Sequence, residues 1–467
     1  MEVMHRPAAV QSPTLVPAAA EAAFAAPALV AAAAVAWAAI HGIGHNFISF
    51  SDGVYMYAAS EGAHALYGVV AVSLPPAALL LTAAVWKLSP HIETVRLALA
   101  LVGLATALLT YVVARRLFRL GGWTAALAAT VALTGPVHAQ FVGVEGELLL
   151  TPLVLGLALA LHDRRRTPAV ALLGAGFFCK LTWAPFFVAG IVVVARRDGR
   201  RAAVKTAAAS LAFGAALYGG ALLAFGWSAH DLLSQLVLAE SNSGFQFDLV
   251  LGLVAVVVVL WWPFLVLGSA GLREANDVTR LLLAAGAVGS LSMVKQGTFF
   301  NVLDPLEPLL ATLAVAGGVS LWRRQRHALV LLCALGVAVH VASVGNDTLG
   351  KALPIPVGAA LVNTHNEDEV DRVASSIRAH SRPDDAVLVN PLFALAADRR
   401  EKLHAADWFI LHALDNGNWA RVKQARVPVL TVDSNVLRFD PSFGAGPKRR
   451  VLRLDEPPIK TTVYAGY

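Results

Sequence analysis

The sequence predicts a polytopic α-helical membrane protein of about 11 spans, followed by a small C-terminal α/β domain outside the cytoplasm. The helical part is predicted because 57% of the 467 residues are hydrophobic and only 15% are charged. Several apolar segments also reach the roughly 20 residues that a helix needs to cross a bilayer. The outer domain is predicted because the composition becomes polar and nearly charge-balanced after residue 344. Strands of a membrane barrel would be shorter and would alternate in polarity, which disfavours a barrel.

Arginine clusters predict the orientation of the spans. Short loops rich in Lys and Arg stay cytoplasmic, so all of these clusters are expected on one side of the membrane. Residues 168–196 are therefore predicted to form two short helices broken near Lys180, because one crossing would separate the arginines that flank them. The clusters lie at 115–119, 164–166, 196–201, 273 with 280, and 323–326.

The resulting path starts inside and ends outside. The apolar segment 75–88 is about 21 Å long as a helix, too short to cross, and is expected to lie along the outer surface behind the Pro75-Pro76 pair. The predicted spans are residues 22–42, 94–116, 122–139, 147–162, 168–179, 182–195, 202–226, 249–271, 280–295, 302–321 and 327–344.

Three regions follow from this path. Residues 1–21 are predicted to be an N-terminal cytoplasmic segment, 22–345 a membrane domain with its first outer loop at 43–93, and 346–467 an extracytoplasmic α/β domain. Within the last region the patterns predict helices at 367–380 and 418–425, and strands at 386–389, 408–411 and 427–432.

Ionisable residues collect on the predicted outer face, where they are costly unless paired or functional. A carboxylate can accept the proton of an attacking hydroxyl, and cations can hold a phosphate leaving group. This combination is what an enzyme with a lipid-phosphate-linked donor needs. The candidates are Asp52 in the first outer loop, Arg96 at the outer start of the second span, Glu145 and Glu147 between the third and fourth spans, Lys180 at the hairpin tip and Lys295 just before Gly297.

Each of these residues also has a simpler interpretation. Lysines and arginines near span ends often only extend to the membrane interface, which applies to Arg96, Lys180 and Lys295. Glu145 and Glu147 also fit solvated loop charges. No group of residues shows metal-ligand spacing, so no metal ligands are assigned from the sequence.

Three short motifs near the N-terminus resemble a known family. They are DGVYMYAA from Asp52, SLPPA from Ser73, and WKL from Trp86 followed by Arg96. In this order they are similar to the N-terminal pattern of the protein O-mannosyltransferase and aminoarabinose-transferase-like (dolichyl-phosphate-mannose-protein mannosyltransferase-like) glycosyltransferases, which have the GT-C fold.

Two later motifs continue the resemblance over roughly residues 20–345. The segment GAGFFCKLTWAP from Gly174 is similar to the glycine-rich segment of that family, which ends in a lysine, here Lys180. The segment KQGTFFN, from Lys295 to Asn301, resembles an element of its bacterial members. The resemblance thus covers the predicted membrane domain and only loosely the C-terminal one.

The resemblance implies transfer of a hexosyl or pentosyl group from a polyprenyl-phosphate donor to a lipid, glycan or protein acceptor on the outer face of the cell membrane. The first-loop acid of the family, its usual catalytic candidate, corresponds to Asp52. Many members have an Asp-Glu pair there, whereas Gly53 follows Asp52 in this chain, so a second acid would come from Glu145 or Glu147. Some members use a divalent cation, and no spacing here decides that point.

Two aromatic residues close to Asp52 have open roles. Tyr55 and Tyr57 fit either the aromatic belt of a membrane interface or contacts to a sugar or acceptor. For the whole chain, two alternatives to a glycosyltransferase remain. A transporter or lipid flippase would place its charges near the bilayer midplane, on broken helices. A non-catalytic member of the same scaffold would bind the donor without transfer.

Overall fold

The computed structural model of the protein is mostly helical. It describes residues 21–45, 50–70, 72, 74–133, 146–238, 247–294, 300–344, 366–401, 427–433, 449–454 and 461–465. The helices up to residue 344 are α1 Ala25–His45, α2 Phe50–Ser60, α3 Pro76–Leu88, α4 Ile92–Leu117, α5 Gly122–Ala132, α6 Gly146–His162, α7 Arg166–Cys179, α8 Ala184–Asp198, α9 Arg200–Phe225, α10 Ala229–Leu233, α11 Phe247–Gly271, α12 Asp277–Gly289, α13 Glu307–Arg323 and α14 His327–Val344.

These helices match the predicted segments closely. Each predicted span overlaps one of them, and α3 follows the predicted Pro75-Pro76 start, with Pro75 as its N-cap. Two of them, Ile92–Leu117 and Arg200–Phe225, are long and apolar enough to cross a membrane by length and composition. The total number of spans stays a prediction.

Helix α4 shows how such a segment divides its surface. Leu101, Leu104 and Leu108 lie on one exposed face, which suits contact with lipid. On the buried side, the hydroxyl of Thr106 donates to Val102 O at 3.0 Å, and that of Thr110 donates to Thr106 O at 2.7 Å. These bonds satisfy the buried hydroxyls within the helix itself, as an apolar environment requires.

The backbones of helices α11 and α13 approach each other closely at two glycines. A Cβ on Gly317 would overlap the carbonyl oxygen of Leu267, and one on Gly271 would overlap that of Leu313. Small residues of this kind let two backbones approach closely where no hydrophobic effect drives helices together.

The predicted arginine clusters gather at one end of the bundle, which we call the arginine end. Arg116 forms an ion pair with Asp163 at 2.7 Å, which joins the first cluster to the second. Arg166 pairs with Asp198 at 3.3 Å, and Arg197 donates to Leu161 O, which joins the second to the third.

The two remaining clusters lie at the same end. The side-chain amide of Asn276, between Arg273 and Arg280, lies 3.5 Å from the His162 ring. Ser320, close to the last cluster, donates to Glu274 at 3.4 Å. The common placement on one side that the sequence predicts is therefore found in the structure.

The N-terminal segment also reaches the arginine end. Glu21 precedes α1, and its carboxylate accepts hydrogen bonds from the backbone N–H groups of Trp123 (3.1 Å) and Thr124 (3.4 Å). These groups belong to the first turn of α5, where backbone donors lack partners inside the helix. Helix α1 therefore starts at the arginine end and runs to the opposite end, where α2 follows.

The C-terminal region combines helices and short strands. It contains α15 Asn366–His380, β1 Ala386–Val387, α16 Pro391–Ala397, β2 Arg400–Glu401, β3 Val429–Asp433, β4 Arg449–Leu454 and β5 Thr461–Ala465. Strands β1 and β2 are parallel, and β5 lies antiparallel between β3 and β4. Leu388 joins the two sheets, because its N–H donates to Val429 O and its carbonyl accepts from Thr431 N, both at 3.0 Å.

The predicted helix at 367–380 and the predicted strands at 386–389 and 427–432 are confirmed as elements. The predicted strand at 408–411, the helix at 418–425 and the boundary at 345/346 lie outside the described residues. Fully buried residues of α15, β1, α16 and β3 form one hydrophobic cluster, which we call the C-terminal core.

Candidate active site

An apolar cluster at the end opposite the arginines brings distant segments together. We call it the Tyr67 cluster, after its largest fully buried side chain. Its residues come from α2, the loop after it, helices α3, α4, α6, α9 and α10, and the short segments on either side of α10. They are Met56, Ala58, Leu66, Tyr67, Val70, Val72, Leu74, Ala78, Leu79, Val95, Leu99, Leu148, Ala221, Trp227, Leu232 and Leu236.

Four predicted site residues lie within four positions, along the chain, of residues that belong to this cluster or pack against it. Asp52 and Met56 are one turn apart on α2, and Arg96 follows Val95. Glu147 precedes Leu148 in α6, and Lys180 comes two residues after Phe178, which packs against the cluster. The backbone segments that carry Asp52, Arg96, Glu147 and Lys180 therefore meet around one apolar cluster.

Arg96 and Lys180 differ in burial. Arg96, in the second turn of α4, is only 4% exposed. Lys180 is half-buried and takes an extended backbone conformation (φ −162°, ψ 146°) between α7 and a 3₁₀ turn at Leu181–Trp183. The predicted break near Lys180 is thus confirmed. It places this cation between the end of α7 and the start of α8.

Glycines and Trp183 build the hairpin that carries Lys180. The ring of Trp183 is fully buried, its indole N–H donates to Leu173 O at 2.8 Å, and it stacks on Phe186. A Cβ on Gly176 would overlap this ring. Gly174 lies against the backbone of α9, where a Cβ would lie 3.0 Å from Gly214 N. The glycine-rich motif thus has a packing function at both of its glycines.

The loop after α2 is held by residues that follow α9. The side chain of Gln235 donates to Tyr67 O at 2.7 Å and accepts from Val72 N at 2.9 Å. The indole of Trp227 donates to Ala63 O at 2.7 Å. Gln235 is 7% exposed, so both partners are bonded away from bulk water. The sequence does not single out Gln235 as a site residue, because one glutamine between two predicted spans carries no pattern.

Tyr67 fixes the same loop from inside. Its hydroxyl donates to Leu74 O, and its ring meets Trp227 edge to face at 4.9 Å. Complete burial raises the pKa of the Tyr67 phenol well above its ordinary value of 10.0, with smaller contributions from Tyr218 and Tyr55. The phenol therefore stays protonated, and remains a hydrogen-bond donor, throughout the neutral range.

Helix α2 lies between two hydrophobic clusters. Met56 is fully buried in the Tyr67 cluster, against which Tyr55 also packs. Tyr57 is 2% exposed and belongs to the C-terminal core. The structure describes Asp52 only by its backbone, in the first turn of α2. Residues 50–60 form a helix where the sequence predicts a loop, because this helix is stabilised by tertiary packing and has no strong local signal.

The remaining candidates for the site are the acids Glu145 and Glu147 and the last proposed lysine, Lys295. Glu147 lies in the first turn of α6, of which the structure gives the backbone here, while Glu145 and Lys295 lie outside the described residues. Within the described part of the chain, no group of three or more His, Cys, Asp or Glu residues is placed to hold a metal ion.

Two buried carboxylates were missed by the sequence analysis. Asp304 and Glu307 lie at the start of α13, at the end opposite the arginines, and are 7% and 4% exposed. Buried ionised groups are costly and are found where partners or function retain them. The sequence does contain a sign of them, since two acids inside the apolar segment 302–321 are unusual for a membrane span.

Comparison with known proteins identifies the architecture. The chain matches no protein-family model and no curated protein sequence. It is similar to the crystal structure of ArnT from Cupriavidus metallidurans bound to undecaprenyl phosphate, at 14% identity, with 96% of this chain and 98% of that chain covered and a TM-score of 0.63. This chain has the GT-C fold.

A second ArnT structure gives the same result for the GT-C fold. The crystal structure of ArnT from Cupriavidus metallidurans in the apo state is 14% identical, covers 95% of this chain and 97% of that chain, and has a TM-score of 0.64. The similarity extends over more of the chain than the motifs at 20–345. The GT-C fold that the motifs predicted is thereby confirmed.

Proposed function

We propose that this protein is an integral membrane glycosyltransferase that moves one sugar from a polyprenyl-phosphate donor to a lipid, glycan or protein acceptor. The observation that carries the proposal is the similarity, over nearly the whole chain, to ArnT bound to undecaprenyl phosphate. The convergence of the Asp52, Arg96, Glu147 and Lys180 segments around the Tyr67 cluster supports it.

In the proposed reaction, Asp52 takes the proton of the acceptor hydroxyl as its oxygen attacks the anomeric carbon. A new bond forms between that oxygen and the anomeric carbon, and the bond from this carbon to the phosphate oxygen breaks. One such displacement inverts the configuration at the anomeric carbon. The electron pair leaves with the lipid phosphate, which needs no proton if cations hold it.

Arg96, Lys180 and Lys295 are the proposed phosphate ligands. Lys180 suits this role because it stands at a break between two helices and its side chain is half-buried. Charge-assisted hydrogen bonds to phosphate are about twice as strong as neutral ones. Glu145 or Glu147 would supply a second acid, and Tyr55 and Tyr57 remain candidates for acceptor contacts. A divalent cation is compatible with the proposal but is not needed for it.

The site is proposed to lie on the extracytoplasmic face. All five arginine clusters lie at one end of the bundle, and such clusters mark the cytoplasmic side. The Tyr67 cluster, helices α2 and α3 and the C-terminal core lie toward the other end. The same argument favours an enzyme over a transporter or flippase, since a transporter would place its charges near the midplane.

Reconstitution tests the function directly. The purified protein would be placed in liposomes with polyprenyl-phosphate hexoses or pentoses and candidate acceptors, and products would be identified by mass spectrometry. We expect loss of the sugar from the lipid carrier, a glycosylated acceptor, and a missing glycan or lipid in a strain without the protein. Movement of intact donor across the bilayer would indicate a flippase, and donor binding without product would indicate a non-catalytic protein. Either result would overturn the proposal.

A further inference from the structure

We propose that the C-terminal domain holds helix α2 in place and thereby sets the position of Asp52, with Leu392 as the positioning residue. The inference rests on the glycosyl transfer proposed above, in which Asp52 is the base. It assigns a role to the domain that neither the sequence motifs nor the structural comparison provides.

Gly53 and Leu392 are the two residues at the contact. A Cβ on Gly53 would lie 2.5 Å from Leu392 Cβ, 2.8 Å from its Cδ1 and 2.9 Å from its Cα. Unstrained carbon atoms stay about 3.5–4.0 Å apart. Two of the three opposing atoms belong to the backbone or are attached to it, so a side-chain rotation cannot make room. Helix α16 therefore occupies the space that any side chain at position 53 would need.

Tyr57 extends this contact by one turn. Residues four apart lie on the same face of a helix, so positions 53 and 57 face the same way. Tyr57 is 2% exposed in the C-terminal core, together with Phe393 and Ile377. This face of α2 is therefore covered by the C-terminal domain over at least one full turn.

The neighbouring face of α2 belongs to the membrane domain. Met56 is fully buried in the Tyr67 cluster with Val95 and Leu148. Leu395 of α16 packs against both that cluster and the C-terminal core. Asp52 begins the turn that ends at Met56, so its backbone is held between the two clusters. A displacement of about 1 Å can cost on the order of 100-fold in rate, so this support matters for a base.

The contact with Leu392 explains why a glycine, Gly53, follows Asp52. A glutamate at position 53 would place its Cβ inside Leu392, so a second carboxylate cannot directly follow Asp52 while α16 is seated. In this chain, the contact with Leu392 occupies that position. Any further acid at the site must come from another segment.

Two substitutions test the contact from opposite sides. Gly53→Ala adds the Cβ that Leu392 excludes, and Leu392→Ala removes most of the side chain that faces Gly53. Gly68→Ala is the matched control for the first, because Gly68 lies in the loop after α2 and a Cβ there would meet nothing within 4 Å. Ile377→Ala is the control for the second, because it opens a cavity in the same core from α15.

Hydrogen exchange over residues 50–60 reports the seating of α2 without depending on the reaction. We expect Gly53→Ala and Leu392→Ala to accelerate exchange there and to lower product formation on the order of 10-fold to 100-fold. Binding of undecaprenyl phosphate should stay within about twofold of the wild type, since the phosphate ligands are elsewhere. Gly68→Ala should change none of these quantities.

The outcomes separate the two proposals. Wild-type protein that forms no product would overturn the glycosyl transfer, while the exchange data would still test the seating of α2. An active Gly53→Ala variant with wild-type exchange would overturn the seating and leave the transfer intact. Equal loosening of α2 by Ile377→Ala and Leu392→Ala would assign the effect to folding of the domain and overturn the role of Leu392.

Discussion

The ring of Trp183 lies against the backbone of Gly176 and stacks on Phe186. This contact closes the hairpin between α7 and α8 and leaves Lys180 extended at its tip. The glycine-rich motif is thus explained by packing, and the position of its terminal lysine follows from that packing.

Gly176→Ala should destabilise the hairpin, because the added Cβ would overlap a ring that is fully buried and hydrogen-bonded. Overpacking of this kind costs about 1–3 kcal/mol. Thermal unfolding in detergent measures the effect. Gly219→Ala is the matched control, since a Cβ at Gly219 in α9 meets nothing within 4 Å. That control should leave the midpoint unchanged or raise it, and an equal drop in both variants would contradict the packing argument.

Lys180→Ala should weaken binding of undecaprenyl phosphate by about 10-fold to 100-fold, because a charged hydrogen bond contributes about 1.5–3 kcal/mol. Titration of the purified protein with this lipid, at low and at high salt, measures the loss. Lys205→Ala is the control, because Lys205 is an exposed lysine of α9 near the arginine end. If Lys180→Ala bound undecaprenyl phosphate with unchanged affinity, Lys180 would not be a phosphate ligand and would serve only to anchor the hairpin at the membrane interface.

Asp52→Asn should lower product formation by about 10²–10⁴-fold, the usual contribution of a general base, while undecaprenyl phosphate still binds. The comparison is made at equal protein levels in membranes. Glu61→Gln is the matched control, since Glu61 is a half-buried acid in the turn directly after α2. Full activity of Asp52→Asn would remove Asp52 from the proposed mechanism.

Gln235→Met should loosen the loop after α2, because Tyr67 O and Val72 N would lose their buried partner at similar side-chain volume. Each unsatisfied buried group costs about 1–3 kcal/mol. Hydrogen exchange over residues 66–74 measures the loosening. The neighbouring residue supplies the control, because the Ser234 hydroxyl donates to Asp231 O within its own turn. If Ser234→Ala loosened the loop equally, the effect would belong to the turn and not to the Gln235 bonds.

Much of the helical architecture was predictable from the sequence. The approximate positions of most helices, the break near Lys180 and the collection of arginines at one end follow from apolar length, charge and glycine or proline placement. These are properties of a few neighbouring residues, so a single sequence displays them. The motifs starting at Asp52 and Gly174 also predicted the GT-C fold that the structural comparison confirms.

The interior of the candidate site was less predictable. Asp304 and Glu307 were missed because their burial depends on the helices that surround α13, which sequence spacing does not report. Gln235 was missed because its partners, Tyr67 and Val72, lie far earlier in the chain.

Composition and local pattern were therefore sufficient to predict most of the helical segments and the common end of the arginine clusters, while the motif resemblance pointed to Asp52 as the candidate base. Only the tertiary structure decided what surrounds that acid. Gly53 looked like a missing carboxylate, and in the fold it is the point where Leu392 meets α2. The physical reason is that the space beside a residue is filled by whatever packs against it, and that partner comes from a distant part of the chain.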